Sequence, residues 1–204
     1  MVYTHLMAEE NKVLSEEKPK EKKTAWREIW EFVKVILLAL VIALPIRYFI
    51  AQPFIVKGQS MEPSFEDREY LVIDELTYQF REPQRGEVVV FRYPNNPKEF
   101  FIKRIIGMPG ETIVIKNGQI LIKSGSEANE PFFLQEDYLP SDLKTFPEKE
   151  YVLDKVQYLV LGDNRRNSSD SRSWGPLDKK FITGRAFFRA WPPSKFGLIP
   201  EPVY

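Results

Sequence analysis

Residues 112–122, Thr-Ile-Val-Ile-Lys-Asn-Gly-Gln-Ile-Leu-Ile, indicate the fold class of this chain. Two runs rich in β-branched residues flank Asn117-Gly118, a dipeptide that tolerates the positive φ angles of a type I′ turn. The segment therefore predicts an antiparallel β-hairpin.

Similar short apolar runs recur on both sides of this hairpin, separated by turn-forming residues. They lie at residues 54–56, 70–73, 87–91, 100–106, 157–161 and 181–190. Between residues 124 and 155 the pattern gives way to a polar stretch broken by prolines, which predicts an irregular insertion with at most short elements. We therefore expect residues 51–204 to form a mainly β domain of antiparallel sheets.

The N-terminal quarter of the chain has a different composition. Residues 1–25 are rich in Lys and Glu and predict a disordered tail. Residues 26–50 contain a long apolar run, and the 19 residues from Phe32 to Ile50 approach the roughly 20 that a membrane-spanning helix needs. The segment therefore predicts a transmembrane anchor helix, with a buried or interfacial amphipathic helix as the alternative.

The basic residues around this segment predict its orientation in a lipid bilayer. Six Lys or Arg residues lie between Lys12 and Arg27, and only Lys57 and Arg68 lie in the twenty residues after Ile50. Because the more basic flank stays in the cytoplasm, we expect a single span of the plasma membrane with a cytoplasmic N-terminus and an extracytoplasmic β domain.

The composition excludes several kinds of function. The chain has 29 basic and 29 acidic residues, which argues against a nucleic-acid partner. There is no Cys, and the single histidine, His5, lies in the charged tail, so a Ser-His-Asp triad and the usual zinc sites lack their ingredients. We expect no metal and no cofactor, and a hydrolase with this sequence needs Lys, Asp, Glu or Tyr as its base.

Three segments carry candidate chemistry. Ser60 follows a glycine in Val56-Lys-Gly-Gln-Ser-Met-Glu-Pro-Ser-Phe65, where it is either a plain turn former or a nucleophile. Residues 162–175, Gly-Asp-Asn-Arg-Arg-Asn-Ser-Ser-Asp-Ser-Arg-Ser-Trp-Gly, form either a solvated loop or a hydrogen-bonded shell around a site.

Lys103 is the third candidate, within Phe100-Phe-Ile-Lys-Arg-Ile-Ile-Gly-Met-Pro-Gly110. Strand alternation gives it two apolar neighbours on its own face, Phe101 and Ile105, so burial is expected to lower its pKa. The alternative is an edge-strand lysine whose amine reaches water.

Together these segments resemble the sequence boxes of the type I signal peptidases, Ser/Lys enzymes that cleave secretory signal peptides. The match extends from about Phe54 to Trp191, in the family's order, and includes Arg85-Gly-Glu-Val-Val-Val-Phe91 as a core strand. The resemblance implies a catalytic domain of antiparallel sheets with a barrel-like core. It also implies secretory precursor proteins as the partners.

The same resemblance implies a role for each site residue. Ser60 is the expected nucleophile, Lys103 the general base and Ser168 the hydroxyl that orients the lysine amine. Two charged pairs, Asp163 with Arg104 and Asp170 with Arg172, are expected to support the site. Gly58 replaces a serine found in some members, so the oxyanion hole is expected to use backbone N–H groups, notably that of Ser60, with help from the neighbourhood of Gly58.

Shallow apolar pockets are expected to select substrates with small residues at the first and third positions before the cut, typically Ala-x-Ala. Their expected lining is Phe54, Val56, Met61, Phe101 and Ile102. Two other functions remain open on the sequence alone. They are a self-cleaving repressor, whose DNA-binding domain is not apparent here, and a membrane-tethered β scaffold without activity.

Overall fold

The computed structural model describes residues 21–45, 51–124 and 130–200. The chain divides into two compact units, residues 1–45 and residues 46–204. Most of the predicted tail lies outside the described residues.

The described residues of the first unit form helix α1 (Glu21–Pro45). It begins five residues before the predicted anchor and ends at Pro45; the last five residues of the predicted anchor, 46–50, lie outside the described residues. Among the helices described, none combines the length and the apolar character that crossing a membrane requires. The predicted transmembrane span is therefore not shown by this helix.

The second unit is mainly β, as the sequence predicts. Its strands are β1 (Ala51–Ile55), β2 (Tyr70–Asp74), β3 (Val88–Tyr93), β4 (Asn96–Gly107), β5 (Thr112–Lys116), β6 (Gln119–Lys123), β7 (Phe132–Phe133), β8 (Lys149–Val152), β9 (Gln157–Leu161), β10 (Leu177–Asp178), β11 (Ile182–Trp191) and β12 (Gly197–Leu198). Two four-residue helices, α2 (Thr77–Phe80) and α3 (Ser171–Trp174), lie between strands.

These strands form two antiparallel sheets. The larger sheet has the order β1-β2-β11-β3-β4-β9-β10, with β12 added beside β11, and the smaller has the order β7-β6-β5-β8. In the described residues β1 and β10, at the two ends of the larger sheet, do not pair with each other, so the expected barrel-like closure is not seen there. Among the described strands, β1 pairs with β2 alone, so one edge of β1 has no strand partner there.

The hairpin that indicated the fold class is confirmed. Strands β5 and β6 pair antiparallel with Lys116 opposite Gln119. Asn117 and Gly118 between them have φ angles of 52° and 80°, which is the backbone that a type I′ turn requires.

Strand β3 lies at the centre of the second unit. Its residues Val88 to Phe91 are at most 3% exposed, because the strand is covered on both faces. Val88 and Val90 pack with Met61 and Phe65 in one cluster, whereas the alternate residues of β3 pack in another cluster with Ile105, Tyr158 and Val160. This strand therefore fixes the positions of β11 and β4, which pair with its two edges.

Candidate active site

Ser60 lies on a turn that leaves strand β1 and is held at both ends. The Val56 N–H donates to the Glu69 carbonyl at 2.9 Å, and the Arg68 N–H donates back to the Val56 carbonyl at 2.9 Å. Met61, directly after the serine, has no exposed surface and packs into the core. The buried methionine anchors the turn and leaves the serine hydroxyl beside a cleft.

Lys103 approaches the same point from strand β4. Its side chain is 3% exposed, and its Nζ lies 2.7 Å from Ser60 Oγ and 2.7 Å from the Ile102 carbonyl oxygen. The Phe101 ring lies 5.5 Å from the amine. The structure thus brings together a hydroxyl and an amine that lie 43 residues apart in the sequence.

The surroundings of Lys103 favour its neutral form. Burial lowers the pKa of Lys103 from 10.5 to about 8, and the nearby carboxylates of Asp170 and Asp163 limit this decrease. A lysine with a pKa near 8 is partly deprotonated at neutral pH, which a general base requires.

The backbone hydrogen bonds of the serine turn leave the Ser60 N–H available as a donor to a bound group. Within the described chain this N–H has no hydrogen-bond acceptor, whereas the Gly58 N–H donates to Asp67 Oδ1 at 2.7 Å. The expectation that Gly58 assists the oxyanion hole is therefore not supported for its own N–H. Its positive φ of 83° indicates that it shapes the turn instead.

Asn164 holds the serine turn and was not predicted as a site residue. Its backbone N–H donates to the Ser60 carbonyl at 3.1 Å, and its Nδ2 donates to the Gln59 carbonyl at 3.0 Å. Its position within the Gly-Asp-Asn-Arg run was the only signal in the sequence. The two bonds fix the carbonyl side of the turn on which Ser60 lies.

The two expected charged pairs are present and buried. Arg104 donates to Asp163 through Nε at 3.0 Å and Nη2 at 2.6 Å. Arg172 donates to Asp170 through Nε at 2.8 Å and Nη2 at 2.7 Å. Burial alone would raise the pKa of Asp170, but the hydrogen bond and charge of Arg172, together with the Gly162 N–H and the Ser168 hydroxyl, hold the pKa of this carboxyl below its usual value.

Ser168 lies close to the serine turn but is not bonded to Lys103. Its Oγ is buried and has no hydrogen-bond partner among the described residues, although the hydroxyl lies near enough to Asp170 to help lower the pKa of that carboxyl. A methyl group placed on Gly162 would lie 2.1 Å from Ser168 Oγ and 2.5 Å from the Ser60 carbonyl oxygen. Only glycine at position 162 lets these two groups approach so closely.

A cleft of about 790 Å³ opens beside Ser60 and Lys103. Its two sides are residues 53–57, from β1 onward, and residues 98–103 of β4. Four of the predicted pocket residues line it: Phe54, Val56, Phe101 and Ile102. Met61 does not, because it lies in the core below the turn, so its assignment to the pocket was wrong.

Comparisons with known proteins identify the family of this chain. The family described as signal peptidase, peptidase S26, matches residues 29–191. Signal peptidase I of Leptolyngbya laminosa is 39% identical over 186 residues, covering 86% of this chain and 87% of that protein. Signal peptidase IB of Staphylococcus aureus is 36% identical over 181 residues, covering 83% of this chain and 93% of that protein. A crystal structure of a signal peptidase I from Enterococcus faecalis is similar with a TM-score of 0.43 and 26% identity, over 52% of this chain and 97% of that chain.

Proposed function

Because this chain belongs to the signal peptidase family, peptidase S26, we propose that it cleaves signal peptides from exported precursors with Ser60 as nucleophile and Lys103 as general base. Membership makes it a hydrolase of the signal peptidase I type. The observation that carries the proposal is the 2.7 Å distance between Lys103 Nζ and Ser60 Oγ beside an open cleft.

The neutral Lys103 amine takes the proton of the Ser60 hydroxyl as Oγ attacks the carbonyl carbon of the scissile bond. The resulting ammonium then gives a proton to the departing amine, which leaves an acyl group on Ser60. Water, deprotonated by the same lysine, releases the acyl group and regenerates the hydroxyl.

The remaining groups stabilise and orient this reaction. The unused Ser60 N–H supports a role as donor to the oxyanion that forms on the attacked carbonyl. When Lys103 is neutral and accepts from Ser60, its two N–H groups require two acceptors. The Ile102 carbonyl is one, and the unpartnered Ser168 hydroxyl is the nearest match for the orienting role expected from the sequence.

We further propose that the substrate binds in the cleft as an extended strand. Strand β1 pairs with β2 on one edge only in the described residues, and its residues 53–55 line the cleft. We expect the bulky side chains of Phe54, Phe101 and Ile102, which line the cleft, to accept a methyl group and to exclude a larger side chain. This favours small residues at the first and third positions before the cut, as in Ala-x-Ala.

Membrane attachment through residues 26–50 is the last part of the proposal. The side chains of residues 35–42 of α1 are all exposed, and all are apolar. Soluble proteins rarely expose so large a contiguous apolar surface. This surface therefore supports a role of α1 in membrane attachment. Precursors with their own apolar signal segment in the bilayer would then meet the enzyme there.

A precursor-cleavage assay with the full chain in detergent tests the catalytic roles. Ser60→Ala and Lys103→Ala should each lower cleavage to below a few per cent of the parent rate while remaining folded. Lys103→Arg should also be inactive, because a guanidinium does not act as a base near neutral pH. The exposed Lys116→Ala is the matched control and should cleave at the parent rate. Substantial cleavage by Ser60→Ala or Lys103→Ala would overturn the assignment.

Paired precursors test the selectivity. A precursor with Ala-x-Ala before the cut should be processed, and the same precursor with Leu-x-Leu should not. Equal processing of the two would refute the proposed pockets even with both catalytic roles intact.

A further inference from the structure

The predicted insertion, residues 124–155, has contacts that its irregular sequence did not indicate. None of its described residues lines the cleft beside Ser60. Its residues instead contact three arginines beside the site, Arg104, Arg165 and Arg172, whose side chains are at most 5% exposed.

Glu136 of the insertion forms two hydrogen bonds with one of these arginines. Arg165, only 4% exposed, donates from Nη1 to Glu136 Oε2 at 2.8 Å and from Nη2 to Glu136 Oε1. The same guanidinium donates to Thr145 Oγ1 at 2.6 Å and, through Nε, to the Gly162 carbonyl at 3.1 Å. One buried cation therefore joins two residues of the insertion to the glycine that touches the Ser60 carbonyl.

Tyr138 provides a second connection. Its ring lies 4.0 Å from the guanidinium carbon of Arg104, the arginine that pairs with Asp163. Its hydroxyl donates to Glu136 Oε1 at 2.5 Å, so the two residues act as one unit.

Phe146 provides the third. Its carbonyl accepts a hydrogen bond from Arg172 Nη1 at 2.8 Å, and Arg172 in turn pairs with Asp170. Residues 136–146 thus contact all three of these arginines, two through hydrogen bonds and one through the ring of Tyr138.

We propose that Glu136 is a positioning residue: through Arg165 it holds the Gly162–Asn164 backbone against the serine turn. This inference rests on the proposed roles of Ser60 and Lys103. The Asn164 bonds to Gln59 and Ser60, and the close approach of Gly162 to the Ser60 carbonyl, would transmit a displacement of this backbone to the nucleophile.

Since the insertion does not line the cleft, Glu136 should affect the chemical step and leave substrate binding unchanged. Glu136→Gln keeps one oxygen acceptor and the size of the side chain. We expect it to lower kcat by about 10- to 100-fold, the effect of losing one charge-assisted hydrogen bond, with KM within about threefold of the parent. Glu136→Ala should lower kcat further.

The experiment measures kcat, KM and thermal unfolding of the full-length variants on one precursor. Glu130→Gln is the matched control, because Glu130 is an exposed glutamate of the same insertion without a described partner, and it should match the parent in all three. Should Glu136→Ala fail to fold, the Glu136→Gln and Tyr138→Phe variants provide the test. Tyr138→Phe should also lower kcat, because it removes the hydrogen bond to Glu136.

A parent kcat in Glu136→Gln, with or without a lower Tm, would reduce Glu136 to a purely stabilising residue and overturn the inference. A change in KM alone would overturn it too. Either result, with Ser60→Ala and Lys103→Ala inactive, would leave the proposed function standing. Activity in Ser60→Ala would instead show that the proposed function itself is wrong.

Discussion

The amine of Lys103 lies almost out of contact with solvent, and its burial lowers its pKa to about 8. A general base works only when it is deprotonated. Below about pH 8 the rate of precursor cleavage should therefore fall roughly tenfold for each unit of pH, and above this value it should level off. A kcat profile from pH 6 to 10 measures this. A rate that stays constant over this range would contradict a lysine base with limiting chemistry.

The same shift predicts that Lys103 lowers the stability of the fold. Its pKa is lower in the folded state than the 10.5 of an unperturbed lysine, so the cost is complete below about pH 8 and disappears as the pH rises to about 10.5. A shift of this size corresponds to about 3 kcal/mol, offset in part by the bonds to Ser60 and Ile102.

Lys103→Met should therefore raise the free energy of unfolding at pH 7 by about 1–3 kcal/mol, with a smaller gain at pH 10. Urea unfolding at the two pH values measures the difference, and Lys116→Met on the exposed face of β5 is the control that should show little change. If the Lys103→Met protein were less stable than the parent at pH 7, the buried amine of Lys103 would not lower the free energy of unfolding, and the prediction would be wrong.

At the scale of the elements, two glycines near strand ends have different neighbours. A methyl group on Gly107, at the end of β4, would meet Ile113 and Leu153 side chains at 2.7–2.8 Å. One on Gly162, directly after β9, would meet Ser168 Oγ and the Ser60 carbonyl. The first glycine lies at the core between the sheets, and the second lies at the candidate active site.

Gly107→Ala should therefore lower the Tm by several degrees and leave kcat within about threefold of the parent. Gly162→Ala should lower kcat by at least about 100-fold, because the serine turn must move. Cleavage kinetics and thermal unfolding of both variants measure the contrast. Parent-like kinetics in Gly162→Ala would show that this close contact is unimportant for activity.

The elements that the sequence predicted well are those that local chemistry specifies. The β5–β6 hairpin follows from alternation and Asn117-Gly118, and the structure confirms both. The start of β4 was predicted at residue 100, whereas the strand begins at Asn96. Residues 96–99, Asn-Pro-Lys-Glu, are exposed and show no alternation of apolar residues, so the sequence did not indicate them as part of the strand. The insertion was predicted as irregular, and it does contain only the short strands β7 and β8 in its described part.

At the site, too, the sequence predicted what local chemistry specifies and missed what depends on the packing of the whole domain. Residue type identified Lys103 as a candidate because its neighbours on the strand are apolar. The same reasoning failed for Met61, since an apolar residue beside a nucleophile either lines a pocket or fills the core, and only the packing of the whole domain decides between them. The Gly-Asp-Asn-Arg run indicates that Asn164 lies near the site. The contacts of Glu136 and Asn164 join segments far apart in the chain, so no local pattern indicates the partners of either residue.

At the scale of the whole molecule, the two ends of the apolar segment differ in charge. Six basic residues precede it and two follow it, which favours a cytoplasmic N-terminus for a membrane-attached chain. Protease added outside spheroplasts should digest the β domain after residue 50 and leave residues 1–23 intact. Permeabilised spheroplasts, in which both regions should be cut, provide the control. Digestion of an N-terminal tag in sealed spheroplasts would reverse the proposed orientation.

The double burial of β3 has a consequence for amide hydrogen exchange. Amides of β3 and of the adjoining part of β4, where Lys103 lies, exchange only when the core opens. Ser60 follows β1, at the end of the sheet order, where small local openings suffice for exchange. We therefore expect the segment that carries Lys103 to be more protected from amide hydrogen exchange than the segment that carries Ser60. Detachment of the β1 edge would separate them and stop catalysis in molecules that still retain their most slowly exchanging amides.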